Sequence, residues 1–374
     1  MNKIALATSA LLLIFLNACN DKEDPAPGIN VPTTYSFTRD DESTVSFSGQ
    51  TDRLNMLSEI KSYLGNGDAG NALEAAKLNN MFSNENDAFT NSDLNASSKQ
   101  LEDKTFLADV TFYKDLFEAA EAASEAVVAN DAVASAGVAG RIQRGNGNYV
   151  LVNEKGWEFT QVIEKGLMGS VFLHQIYNTY LTDDRIGSSV DNTNLVDGAN
   201  YTAKEHHFDE AFGYWGVPVD FPSELPSENN RFWANYSYGR ESLVGSVTNL
   251  KNAFLAGRTA IVNNDEETLE AQVAIIYEEF EIVAAATAIH YINSALTDDN
   301  EGDFLHHVSE AYAFVRALKF SEKRAISDAH LSTILNSNFG TGGDFWTIGD
   351  GDLAEAKSTL ASVYPRLSDI QNEL

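Results

Sequence analysis

The chain has 374 residues, 43 % of them hydrophobic, enough to bury a sizeable core in one large or two ordinary domains. Its 55 acidic against 25 basic residues give a net charge of −30, which excludes general affinity for nucleic acid or for acidic membrane surfaces, since both need basic clusters. A single cysteine, Cys19, excludes a disulfide framework and a cysteine-ligated metal site.

Residues 1–18 carry an early charge, Lys3, then an apolar run from Ile4 to Leu16 and small Ala18. That pattern predicts a secretory leader, too short to span a bilayer. Leu16-Asn17-Ala18-Cys19 resembles a bacterial lipobox, which implies cleavage before Cys19 and lipidation of its thiol. Lys22-Glu23-Asp24 resembles the signal that sends some Gram-negative lipoproteins to the cell surface. The expectation is an outer-membrane lipoprotein, exposed at the cell surface and held to the membrane by lipid. Residues 19–34 are polar and rich in Pro and Gly, a flexible tether. The remainder, 35–374, is expected to form one all-α domain. "TYSFTRDDESTVSFSG" has room for short strands, and helix dominates from Asp52 onward.

Four apolar stripes step by three and four residues, as one face of a bundle helix requires. They run Ile163–Leu181, Leu243–Ile261, Leu269–Val283 and Phe304–Leu318. His174 and His307 fall on two of them and are expected to face inward, where an imidazole needs a partner. Arg258 sits beside Gly257 on another. A buried arginine needs an acid or an anionic ligand, and an internal salt bridge is the simpler expectation.

Two blocks recur. "VFLHQIYNTYLTDD" (171–184) aligns with "ATAIHYINSALTDD" (286–299), and "HHFDEAFGY" (206–214) aligns with "HHVSEAYAF" (306–314). The unit is a long helix ending in L-T-D-D, a loop, and a helix opening on H-H-x-x-E-A. It predicts a duplicated antiparallel bundle about a pseudo-twofold axis, with repeats near 159–215 and 266–319. The His-to-Glu spacings of three and four put His206, His207 and Glu210 on one helix face, and His306, His307 and Glu310 on another. Such sets suit Fe, Zn, Cu or Mn, in one shared site if the copies face each other or in two separate sites if they do not. The alternative is a pair of His–Glu hydrogen bonds that lock helix packing. Glu205, Asp209, His174, His290 and Arg258 are candidate supports around the ligands. His174 and His290 are offset by one residue between the copies, so they do not occupy equivalent places.

Paired His-x-x-Glu motifs on a duplicated helical bundle resemble the imelysin-type proteins, whose signature is Gly-x-His-x-x-Glu. Here Glu205 and Leu305 stand at the glycine position. "STVSFSGQTDRLNMLSEI", "EHHFDEAFGYWG" and "HHVSEAYAF" are more closely similar to domain-of-unknown-function family 4856. The imelysin resemblance implies a metal, iron first, and a role in uptake beside an outer-membrane transporter. Two other readings stand: a metal-dependent hydrolase or peptidase, and a glycan- or protein-binding partner of such a transporter. His-Glu-x-x-His and Gly-x-Ser-x-Gly motifs are absent, so no catalytic residue is assigned.

Overall fold

The computed structural model describes residues 30–226 and 231–374. The leader and Cys19 lie outside the described residues. Thr38–Arg39 (β1) and Glu42–Ser43 (β2) form a short hairpin, as the opening segment suggested. A helical region follows with Ser48–Asp68 (α1), Ala75–Ser83 (α2), Ser92–Ala96 (α3) and Leu107–Asn130 (α4). Gly140–Gln143 (β3) and Tyr149–Val152 (β4) make a second hairpin, which the sequence reading did not anticipate. Its turn is the "RGNG" stretch, where Gly147 takes φ +88, a conformation that glycine adopts freely.

Phe159–Leu167 (α5) continues through π-helical turns at Met168–Leu173 and Ile176–Tyr180. The chain then passes Asp183–Ile186 (α6) and a long loop to Ala203–Trp215 (α7). Phe232–Val244 (α8), Ser246–Asn263 (α9), Glu266–Ala295 (α10) and Glu301–Ala317 (α11) follow. Asp328–Thr333 (α12), Asp352–Val363 (α13) and Pro365–Ser368 (α14) close the chain. The architecture is mainly helical, with only the two small hairpins as sheet among the described residues.

Two stripes differ from expectation. α10 is buried on every side from Glu279 to Ile289, and the α5 helix is buried continuously from Phe159 to Leu173. Most of their surface is apolar or small and the polar groups within it are paired, Glu164 with Lys165 and Glu279 with Arg366, so they form the centre rather than one wall. α10 packs on α9 and α11, and α11 packs in turn on α5. The stripe from Leu243 also proves to be two helices. Gly245, at φ +66, ends α8 and opens α9 between Leu243 and Val247.

The helices bearing the double histidines are fixed by their first turns. Thr202 accepts from the Glu205 N–H and the Glu205 carboxylate accepts from the Thr202 N–H, a reciprocal cap that starts α7 one residue before Lys204. Asn300 accepts from the Asp303 N–H and starts α11. At the ends of the preceding helices, Thr182 donates to the Thr179 carbonyl at 2.8 Å and Thr297 to the Ser294 carbonyl at 2.9 Å. Asn178 donates to the Phe320 carbonyl and Asn293 to those of Gln371 and Leu374.

Candidate metal centre

In α11, His306, His307 and Glu310 each present a ligating atom within 4.8 Å of the others, little more than twice a ~2.1 Å metal–ligand bond. They are the one His/Cys/Asp/Glu group of this kind among the described residues. His306 Nδ1 donates to Glu158 Oε2 at 2.6 Å, and His307 Nδ1 donates to Asp298 Oδ2 at 2.7 Å. Each bond fixes the proton on Nδ1 of a neutral ring and leaves the Nε2 lone pair free. A carboxylate behind a ligating histidine orients the ring and raises its basicity. His306 Nε2 stands 3.4 Å from Glu310 Oε2. Two donors each ~2.1 Å from one tetrahedral ion would stand about 3.4 Å apart.

The supports come from elsewhere in the fold. Glu158 precedes the first turn of α5 and is held by Gln161 at 3.0 Å; its own N–H donates to Ser309 Oγ at 2.9 Å. Asp298 belongs to the repeated L-T-D-D block. Lys165, buried in α5, pairs with Glu164 at 2.6 Å and with Glu310 Oε1 at 3.3 Å, and also bonds Gln161. Glu310 therefore offers Oε2 to the histidine side while Lys165 holds Oε1. Burial opposes charge on His306, but the bond to Glu158 and the charges of Glu158 and Glu310 outweigh it and hold its pKa above the ordinary histidine value. Without a metal, the imidazolium would bridge the two carboxylates. His290 lies nearby, and burial, Arg240 and His307 push its pKa down to about 4.

The first copy is built differently. His206 Nδ1 donates to the Ser46 carbonyl at 3.0 Å and its ring stacks on Tyr201 at 4.5 Å. His207 Nδ1 donates to Glu210 Oε2 at 3.3 Å, and His206 Nε2 is 3.9 Å from the same oxygen. Glu210 also accepts from Gln50 at 3.1 Å. Glu210 is thus engaged by His207 and Gln50. The partners of this set and of the α11 set have no residue in common.

Three other candidates form an ionic knot. Arg258, fully buried, donates to Asp209 at 3.0 Å, Glu205 at 3.1 Å and Thr44 at 3.0 Å. Tyr35 donates to Asp209 and Arg39 to Glu205. Burial raises the Asp209 pKa to about 6 even against the pull of Arg258. The knot reaches His206 through the Ser46 peptide, whose N–H donates to Asp209 and whose carbonyl accepts from His206. The simpler expectation for Arg258, an internal salt bridge, is what the fold contains. His174 is engaged elsewhere, accepting from Asn178 between the rings of Phe106 and Phe320.

Sequence reading missed Glu158, Lys165 and Asp298. Asp298 was within reach, since it stands in the repeated block. Lys165 had a signal too: a Glu-Lys pair inside a helix with no polar face. Glu158 had none, because its role depends on the packing of α5 against α11.

The fold and this cluster define a mainly helical protein with an imidazole–carboxylate centre between packed helices. The description "Domain of unknown function (DUF4856)" matches residues 32–365, and the chain belongs to that family. No curated protein and no solved structure matches it.

Proposed function

We propose that the protein is a lipid-anchored outer-membrane protein that binds one metal ion through His306, His307 and Glu310 and serves metal uptake. The observation that carries this reading is the carboxylate behind each histidine Nδ1, which leaves two Nε2 lone pairs, beside Glu310, as the donors of a half-buried cluster. Glu158 and Asp298 would orient the rings; the ion would replace the proton that otherwise bridges His306 and Glu310. The donor set admits Fe, Zn, Cu and Mn alike. Iron is preferred from the imelysin resemblance, as are the uptake role and an outer-membrane transporter as partner. The lipid anchor at Cys19 rests on the lipobox resemblance. We also read the two helix pairs as an internal duplication about a pseudo-twofold axis, supported by the matched threonine and asparagine bonds at the helix ends.

Calorimetric titration of the metal-free protein with Fe(II), Zn(II), Cu(II) and Mn(II) tests the reading. Saturable binding of at least one, lost in His306→Ala and His307→Ala, is expected. No binding of any of them by folded protein would leave the histidines as hydrogen-bond partners that lock α11 to α5.

A further inference from the structure

His206 of α7 faces a cavity of opposite character. It has a volume of about 300 Å³ and opens between α1, α7 and the segment after α3. Arg53, Lys99 and Lys104 line it, and Glu210 is its single carboxylate. Three cations against one acid is unusual on a chain that carries 55 acidic and 25 basic residues.

The cations are held differently. Arg53 is 5 % exposed and is fixed by donating to the Gln100 carbonyl at 2.8 Å and the Gly49 carbonyl at 3.3 Å. No carboxylate lies within ion-pairing distance of it among the described residues. The same holds for Lys99, whose stem lies over Gly49: a Cβ there would stand 2.9 Å from Lys99 Cε. Lys104 has only a long contact to Asp103, at 3.8 Å. Glu210, bonded to His207 and Gln50, offsets one of the three charges and leaves the cavity with an excess of two cations. The first turn of the 21-residue α1 adds to the same wall. It has no acidic residue and no side-chain cap, so its positive end is uncompensated. Tyr180, Tyr201 and His206 supply aromatic walls, with His206 stacked on Tyr201.

We propose that this cavity binds a small oxyanion-bearing ligand, a carboxylate or phosphate compound, at a site separate from the α11 centre. The volume is at the small end of ligand pockets, which limits the ligand to a few carbon atoms beyond its anionic groups. Arg53 and Lys99 would make charge-assisted hydrogen bonds to the anion, and Lys104 would close the rim. The second copy of the motif backs its histidines with Glu158 and Asp298; this copy faces its histidine with cations. The two copies thus suit ligands of opposite charge.

The test is titration of the purified, metal-stripped protein with propane-1,2,3-tricarboxylate and with inorganic phosphate at fixed ionic strength. Stripping the metal, and using a tricarboxylate without a chelating hydroxyl, keep the α11 centre out of the signal. Saturable binding is expected; which probe binds tells a carboxylate ligand from a phosphate one. Lys99→Glu should weaken it at least about tenfold, the scale of one charge-assisted bond, without changing the melting temperature. Lys251→Glu makes the same change in net charge outside the cavity and should leave binding intact, as should His306→Ala. Absence of saturable binding of either anion, or equal loss in Lys251→Glu, overturns the proposal. Loss in His306→Ala would place the anion at the α11 centre and overturn it too.

Discussion

Arg258 shows how far a single residue could be read ahead of its surroundings. Its place on an apolar stripe said that it must be paired, and the fold supplies Asp209 and Glu205. Removing one partner of a buried ion pair leaves the other charges uncompensated, at a cost of about 3–5 kcal/mol. Arg258→Met should therefore lower unfolding free energy by that amount in urea titration. A loss under ~1 kcal/mol would mean the knot is wetter than its geometry indicates. Asp68 gives a pH prediction. Burial, then Glu158, raises its pKa to about 7, although Leu151 and Thr160 donate to it. An acid whose folded pKa exceeds its unfolded value of ~3.9 contributes stability at low pH and loses it as pH rises through the folded value. Asp68→Asn should flatten the fall in urea midpoint between about pH 4 and pH 8; an unchanged slope would show that Asp68 ionises normally. His306 acts on ligation with the opposite pH dependence, since protonation competes with the metal. With its pKa held above the ordinary ~6.5, protons should begin to displace metal already near neutral pH. The histidine and glutamate spacings were plain in the sequence. Glu158 and Lys165 were not, since their contacts cross between helices whose packing no local pattern encodes.

At the scale of elements, period alone found α5, α9, α10 and α11 but not their depth. One stripe per helix predicts one buried face; α5, and α10 over Glu279–Ile289, are buried all round because small residues and paired polar groups, such as Glu164 with Lys165 and Glu279 with Arg366, fill the other faces. The β3–β4 hairpin escaped because its strands have four residues each, too short for alternation to show against a helical background. Glycines separate packing from propensity here. Ala in place of Gly in a helix normally gains about 0.5–1 kcal/mol. At Gly65, in α1, an added Cβ meets nothing within 4 Å, so Gly65→Ala should stabilise by about that much. At Gly169 it would stand 2.9 Å from Ala317 Cβ and 3.1 Å from Ala317 Cα, where α5 and α11 nearly touch. Gly169→Ala should destabilise by ~1–3 kcal/mol despite its better propensity, and should loosen the α5–α11 contact that holds Glu158 against His306. Thermal melts that ranked the two variants the other way would contradict this packing.

At the scale of the molecule, the acidic surface, the leader and the tether form one expectation: a domain held near a membrane by lipid rather than by charge. Cys19→Ala should move the protein out of the lipid-labelled membrane fraction, and unchanged retention would remove the anchor from the account. The central claim, however, concerns the two His-x-x-Glu copies. They share the same His-His-x-x-Glu-Ala core, yet Glu158, Asp298 and Lys165 surround one, while Arg53, Lys99 and Gln50 surround the other. Sequence could not tell one shared site from two because most of those neighbours, Glu158, Lys165, Arg53 and Lys99 among them, arrive from distant segments. The measurement that tests this most directly is metal stoichiometry by plasma mass spectrometry, on protein loaded with excess metal and then desalted. The account predicts one ion per chain, kept in His207→Ala and lost in His306→Ala; two ions per chain, or loss in His207→Ala, would contradict it.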